Sequence, residues 1–224
     1  MSNKYEEGQI LLINKPLTWT SFDVVKKLRY TIGVKKIGHA GTLDPLATGL
    51  LIIGTGKFTK KLNELQGLDK TYEGTFEVGK TTPSYDLETE FDSTRDFSHL
   101  TVDDLTKAKE ELTGPISQIP PAHSAVKVGG VRAYKKARKN EAIKLEPRAV
   151  TIHEFTINAE KLPEVSFKIR CSKGTYIRSL ARDFGEKLGV GAYLKSLVRT
   201  SVGDYLLGDA SDLDTFIKKF NEGN

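Results

Sequence analysis

Asp44 is the residue of this chain best placed to do chemistry. From Ile37 to Gly56 it is the single formal charge, within the run Gly38-His39-Ala40-Gly41-Thr42-Leu43-Asp44-Pro45-Leu46-Ala47-Thr48-Gly49-Leu50-Leu51. Charged residues make up 28% of the chain, so a window of this length should hold about five or six of them. A carboxylate among small and apolar neighbours suggests a site closed to water, where an ionised group needs a partner or a task. Pro45 biases Asp44 toward extended backbone, which fixes the direction of its side chain.

A partner must be a cation, and Arg178 has the right setting. It falls in the first turn of a helix expected to be capped by Thr175, where the positive end of the macrodipole disfavours a cation by roughly 0.3–1 kcal/mol. Either a solvated arginine or a bidentate clamp on a buried carboxylate or phosphate fits that position. Tyr176 beside it is either a packed aromatic or a ring lining the same pocket. His39, His99, His123 and His153 have no ligand spacing with each other or with acids, so no metal site is expected. Gly54-Thr55-Gly56-Lys57 lacks the spacing of a phosphate-binding loop and reads as a tight turn. Cys171, the sole cysteine, reads as a buried strand residue and excludes an internal disulfide.

The elements that must hold these groups can be placed from patterning. Ile10 to Ile13 reads as a strand, and Thr20 with Asp23 has capping-box spacing for a helix running to about Ile32. Gly38 to Gly49 is too rich in glycine and small residues for a regular element, whereas Leu50 to Ile53 reads as a buried strand, so Asp44 should sit on a loop delivered by the core. Phe58, Leu62 and Leu65 mark a short helix, and Tyr72 to Val78 alternates with Tyr72, Phe76 and Val78 on one face. From Ser84 to Asp104 seven acids face one base, Arg95. Most of that stretch reads as exposed loop before a helix capped by Thr101 and Asp104 and ended by Gly114-Pro115. Gly129-Gly130 suggests a hairpin turn, and strands are expected over Val150 to Ile157, Val165 to Cys171 and Leu197 to Val202. A helix with Ile177, Leu180, Ala181, Phe184 and Leu188 on one stripe should stop at Gly189, and a last helix should start from a Ser211/Asp214 capping box. Interleaving without a βαβ rhythm favours an α+β class with a mixed, mainly antiparallel sheet flanked by helices.

Bulk properties bound the function. The 224 residues suit one large domain or one with an insertion, and no apolar run approaches the length of a membrane span. A polar N-terminus and one cysteine fit a cytoplasmic protein. Net charge is +5, but its placement says more. Lys127 to Arg148 holds eight bases and two acids, either a solvated charged helix or the footprint of a polyanion contact.

The Gly38 to Leu51 run closely resembles the catalytic motif of the tRNA pseudouridine-55 synthases, the TruB family. Three further segments agree in order: Asn14-Lys15-Pro16 with Thr20-Ser21, Lys70-Thr71-Tyr72 followed by Gly79 and Asp86, and Cys171-Ser172-Lys173-Gly174-Thr175-Tyr176-Ile177-Arg178. The resemblance runs from about Gly8 to Tyr205. It implies a pseudouridine-synthase-like fold that isomerises uridine-55 in the T loop of tRNA, with Asp44 as the nucleophile. In that pattern the glycosidic bond breaks, the base turns, and a carbon–carbon bond replaces it. Arg178 matches the residue that pairs with this carboxylate, and Tyr72 the tyrosine that stacks on the base and takes part in proton transfer. His39 matches the residue that wedges into the loop once the base is flipped out. Tyr176 and Leu197 match positions contacting the uracil, and Lys15 with Pro16 a supporting segment. The basic segment, about residues 122–148, lies where the family places an RNA-clasping thumb, so Lys135, Lys136, Arg138 and Lys139 are expected on the RNA backbone.

The resemblance also implies no metal or organic cofactor, tRNA as partner, and a monomer acting without a protein partner or guide RNA. Its rivals are a guide-dependent subunit of the same family and a non-catalytic RNA-folding factor. Thr18 stands where the family usually has glycine, so a positive φ is not required there. About 20 residues follow Tyr205, which leads to the expectation of a single catalytic domain without the PUA domain that many relatives carry.

Overall fold

The computed structural model describes residues 4–124, 126–128, 130–133, 136 and 144–223. They fall into two compact units, one of residues 1–73 with 197–224 and the other of residues 74–196. No helix among the described residues is long and apolar enough to cross a membrane.

The first unit is built around the strand Ala47–Thr55. Leu50, Leu51, Ile52 and Ile53 have no exposed surface, as a strand covered on both faces requires. Along one edge it pairs antiparallel with the strand Ile10–Lys15, Ile13 opposite Leu51. Its other edge is shared: Ala47 to Gly49 pair in parallel with Leu197 to Arg199, and Ile52 to Thr55 pair antiparallel with the strand Ile37–Ala40. Alternation sends Leu51 and Ile53 into one apolar cluster with Val24, Leu28 and Leu213, and Leu50 and Ile52 into another with Leu65 and Val202. The helix Ser21–Ile32 covers the first cluster. Its capping box joins Thr20 and Asp23 as the spacing predicts, and Gly33 ends it at φ 69°.

The second unit carries three antiparallel strands, with Arg148–Lys161 between Gly114–Gln118 and Glu164–Cys171. Phe76 anchors its core, with ring centroids 4.2 Å from Phe167 and 5.7 Å from Phe184. The latter belongs to the helix Ile177–Lys187. A second helix, Val102–Glu111, has the expected box of Thr101 and Asp104. Lys127–Val128 and Val131–Arg132 form the expected hairpin, with Gly130 at φ 81°. The mixed, mainly antiparallel α+β class read from the sequence is what the chain adopts.

Four expectations are corrected. Gly38 and Gly49 lie within strands, because here glycine admits close approach rather than marking a loop. A Cβ at Gly38 would meet the Leu62 side chain at 3.0 Å, and one at Gly49 would lie 2.4 Å from the Arg199 carbonyl oxygen. Residues 84–86 do not begin an exposed loop, since Ser84 and Asp86 are buried. Gly114 and Pro115 open a strand two residues beyond Leu112, the C-cap of the helix Val102–Glu111. Ser211 pairs as a strand residue with Ile13. The last helix, Leu213–Glu222, therefore starts after Asp212 without the Ser211/Asp214 box.

Candidate active site

In the first unit, Asp44 stands in the turn between the strands Ile37–Ala40 and Ala47–Thr55, partly exposed, with its carbonyl accepting from the Ala47 N–H at 3.1 Å. Main-chain contacts fix this turn from several sides. The buried Ser21 hydroxyl donates to the Leu43 carbonyl and accepts from its N–H at 2.9 Å. The Thr18 N–H donates to the Pro45 carbonyl at 2.8 Å. Lys15, wholly buried, donates from Nζ to the carbonyls of Trp19, Pro16 and Pro45 at 2.6, 2.9 and 3.3 Å.

Burial pulls the Lys15 ammonium from 10.5 down to about 8. The Asp44 carboxylate opposes that shift and the Arg199 guanidinium adds to it. Arg199 is 1% exposed and donates from Nε to the Leu50 carbonyl at 2.8 Å and from Nη2 to the Gly41 carbonyl at 3.1 Å. It thus clamps the base of the turn from a strand that begins 150 residues later in the chain. His39 is on the strand leading into the turn, opposite Ile53. Burial, with Arg199, lowers its pKa against a raising contact with the Gly41 backbone. Its Nδ1 is buried without a hydrogen-bond partner among the described residues. A neutral ring suits apolar contact and stacking better than titration.

Leu197 lies directly beside Ala47 in the parallel register, and Tyr72 is buried on the strand Lys70–Val78. The neighbouring Thr71 carbonyl accepts from the Thr200 hydroxyl at 3.3 Å. The first unit therefore assembles Asp44, Lys15, His39 and Leu197 around one turn.

In the second unit, Arg178 is 3% exposed. It donates to the Ser84 carbonyl at 3.1 Å and the His123 carbonyl at 2.8 Å, with Nε 3.6 Å from Asp86 Oδ2. The carbonyls orient the guanidinium and the buried carboxylate offsets its charge. Tyr176 rather than Thr175 is the N-cap of the helix Ile177–Lys187, with no side-chain cap of its own. The Gln118 amide replaces one, accepting from the Tyr176 N–H at 2.8 Å and donating to its carbonyl at 3.1 Å. Thr175 instead donates its hydroxyl to the Ser172 carbonyl.

Ser21, Arg199, Asp86 and Gln118 all support functional side chains that sequence reasoning singled out without these supports. Ser21 and Asp86 fall in segments that carry the resemblance but had no role read for them, and no local pattern marks Arg199 or Gln118, whose partners are far away in sequence. Lys136 is partly exposed, while Lys135, Arg138 and Lys139 lie outside the described residues. No group of three or more metal-ligating side chains occurs among the described residues.

One position reverses its reading. Thr18 sits at φ 69°, so the chain keeps a left-handed bend there without the glycine that makes it easy.

Residues 29–177 match the family model described as TruB family pseudouridylate synthase (N terminal domain). The tRNA pseudouridine synthase B of Flavobacterium johnsoniae is 54% identical over 220 residues, covering 95% of this chain and 96% of that one. Its namesake in Phocaeicola vulgatus is 50% identical over 218 residues, covering 95% and 93%. That of Chlorobaculum tepidum is 48% identical over 217 residues, covering 95% and 90%. Among solved structures, a chain of a Cbf5-Nop10-Gar1 complex superposes with a TM-score of 0.73 at 23% identity, covering 98% of this chain. A chain of the archaeal box H/ACA sRNP Nop10-Cbf5 complex gives 0.71 at 22%, covering 97%. This chain spans 57% and 55% of those two, and at such identity the likeness is one of fold.

Proposed function

The chain belongs to the TruB family of pseudouridylate synthases, and from that premise we propose that it isomerises uridine-55 in the T loop of tRNA to pseudouridine. The observation that carries this reading is Asp44, held in a turn whose neighbouring carbonyls are bound by two buried cations, Lys15 and Arg199. A nucleophile that must meet an extruded base gains from a backbone fixed before the substrate arrives. Asp44 attacks the flipped nucleotide, the bond between base and ribose breaks, and the base turns within the closed site. A base carbon then bonds to the ribose as the bond to Asp44 breaks, that carbon gives up its proton, and the ring nitrogen freed from the ribose takes one up, leaving an isomer of the starting nucleotide. Tyr72 stacks on the base and serves the proton transfer, while Leu197 and Tyr176 bound the uracil.

His39 fills the space the base leaves, for which its lowered pKa and apolar setting are support. Arg178 is the third catalytic residue. Its burial and fixed guanidinium fit a charge committed to one anionic task. Lys135, Lys136, Arg138 and Lys139 contact the RNA backbone, and the protein acts as a monomer without a guide.

The test is incubation of the purified protein with unmodified tRNA transcript and mapping of pseudouridine, beside Asp44→Asn. Wild type should modify position 55, and the variant should leave product below detection while still binding tRNA. Product from the variant at the wild-type rate would remove Asp44 as nucleophile. No T-loop product from wild type would remove the stand-alone activity.

A further inference from the structure

The helix Ser21–Ile32 presents an outer face that the site above does not use. Its inner face is spent on the core, with Val24, Val25, Leu28 and Ile32 buried. On the outside, Phe22, Lys26 and Tyr30 recur at every fourth residue, so they share one stripe that rises roughly 12 Å along the axis. Phe22 is 62% exposed and Tyr30 is 76% exposed, unusual for large aromatic rings. From Thr20 to Lys36 the chain has five bases and one acid, Asp23. That acid is occupied at the helix start, where its Oδ2 accepts from the Thr20 N–H at 3.0 Å and hydroxyl at 2.6 Å. Beside the stripe a cavity of about 420 Å³ is lined by Thr18, Trp19, Asp23, Lys26, Lys27 and Tyr30.

We propose that this face is a second RNA contact, on which an unpaired stretch of the substrate stacks against Phe22 and Tyr30 while Lys26 and Lys27 meet its phosphates. This rests on the functional reading above, which places RNA at Asp44. Two features favour RNA over an apolar partner. Exposed rings separated by ammonium groups match alternating bases and phosphates, and five bases against the single carboxylate of Asp23 leave the segment a positive excess. The face is also continuous with the catalytic turn. Thr18 and Trp19 form the cavity wall, and their main-chain groups bind Pro45 and Lys15.

Trp19 is the only tryptophan in the chain, so its emission reports occupancy of the cavity directly. The probe is decauridylate, which has no T loop, titrated into the full chain at several salt concentrations. Saturable quenching of Trp19 is expected. Phe22→Ala/Tyr30→Ala should weaken binding roughly tenfold or more, and Tyr30→Phe should retain wild-type affinity. Lys26→Ala/Lys27→Ala should lower the salt slope by about 1.4. Pseudouridine formation at saturating tRNA should stay at the wild-type rate in all of them, and thermal melts confirm folding. An emission blind to saturating decauridylate, or alanine variants that bind it like wild type, overturns the contact. The two readings fail separately. Pseudouridine with unaltered variant binding removes only the contact, and decauridylate binding of the expected pattern without pseudouridine removes only the activity.

Discussion

Thr18 offers a prediction whose sign is not obvious from contacts. Its backbone lies at φ 69°, where a β-branched residue costs about 1–2 kcal/mol relative to the right-handed region. Its side chain is exposed, so replacing it forfeits little packing, and the hydrogen bond it makes to the Pro45 carbonyl uses the main-chain N–H, which glycine keeps. Against the relieved strain stands the greater freedom of glycine in the unfolded chain, about 0.5–1 kcal/mol. The difference leaves Thr18→Gly more stable by up to about 1.5 kcal/mol. For a chain of this size that is an upward shift of up to about 6 °C in the unfolding midpoint.

Thr18→Pro provides the opposite arm. Proline fixes φ near −65° and removes the N–H, so this variant should lose at least about 3 kcal/mol. Urea and thermal unfolding of the three proteins, with urea slopes compared, decide it. A glycine variant less stable than wild type would refute the strain argument, and a proline variant equal to wild type would refute the geometry at this position.

Two further perturbations test the supports of the catalytic turn. Gly49→Ala should cost more than about 3 kcal/mol, because its Cβ would stand 2.4 Å from the Arg199 carbonyl oxygen at a φ of 101°; a variant as stable as wild type in urea unfolding would show that the two strands can part freely. For Lys15, folding lowers the pKa to about 8 from 10.5, so between those values the unfolded chain holds more protons than the folded one and stability rises with pH. The rise amounts to about 3 kcal/mol at most. Lys15→Met should lack it, so the wild-type stability minus that of the variant should climb from pH 8 to 10.5. Parallel pH curves would contradict a buried, charged Lys15.

Local chemistry explains what was legible in advance. The Thr20/Asp23 and Thr101/Asp104 boxes are three-residue signals and formed as read. Leu50 to Ile53 could hardly be anything other than a covered strand, and Asp44 consequently fell on the turn before it. What escaped depends on residues far apart in the chain. Gly49 looked like a loop glycine until Arg199 was found crossing it, and Arg199 binds the Gly41 carbonyl over a separation of 158 residues. Asp86, within a run of acids, looked solvated, yet it is buried against Arg178. The Tyr176 cap was misassigned for the same reason, since its partner Gln118 is 58 residues away. In each case a tertiary contact outweighed a correct but weaker local preference.

The charge-poor window around Asp44 is therefore poor in charge only along the sequence. In space, Lys15 and Arg199 bring two cations to the same turn, both buried and both bound to its carbonyls. Those bonds have two effects at once. They oppose movement of a turn that, with Gly41 at φ 85°, would otherwise bend easily, and they surround a carboxylate with positive potential before any substrate binds. The burial of both cations magnifies that potential. Because both cations are oriented by the main chain, the carboxylate can react without the scaffold losing its hold on them.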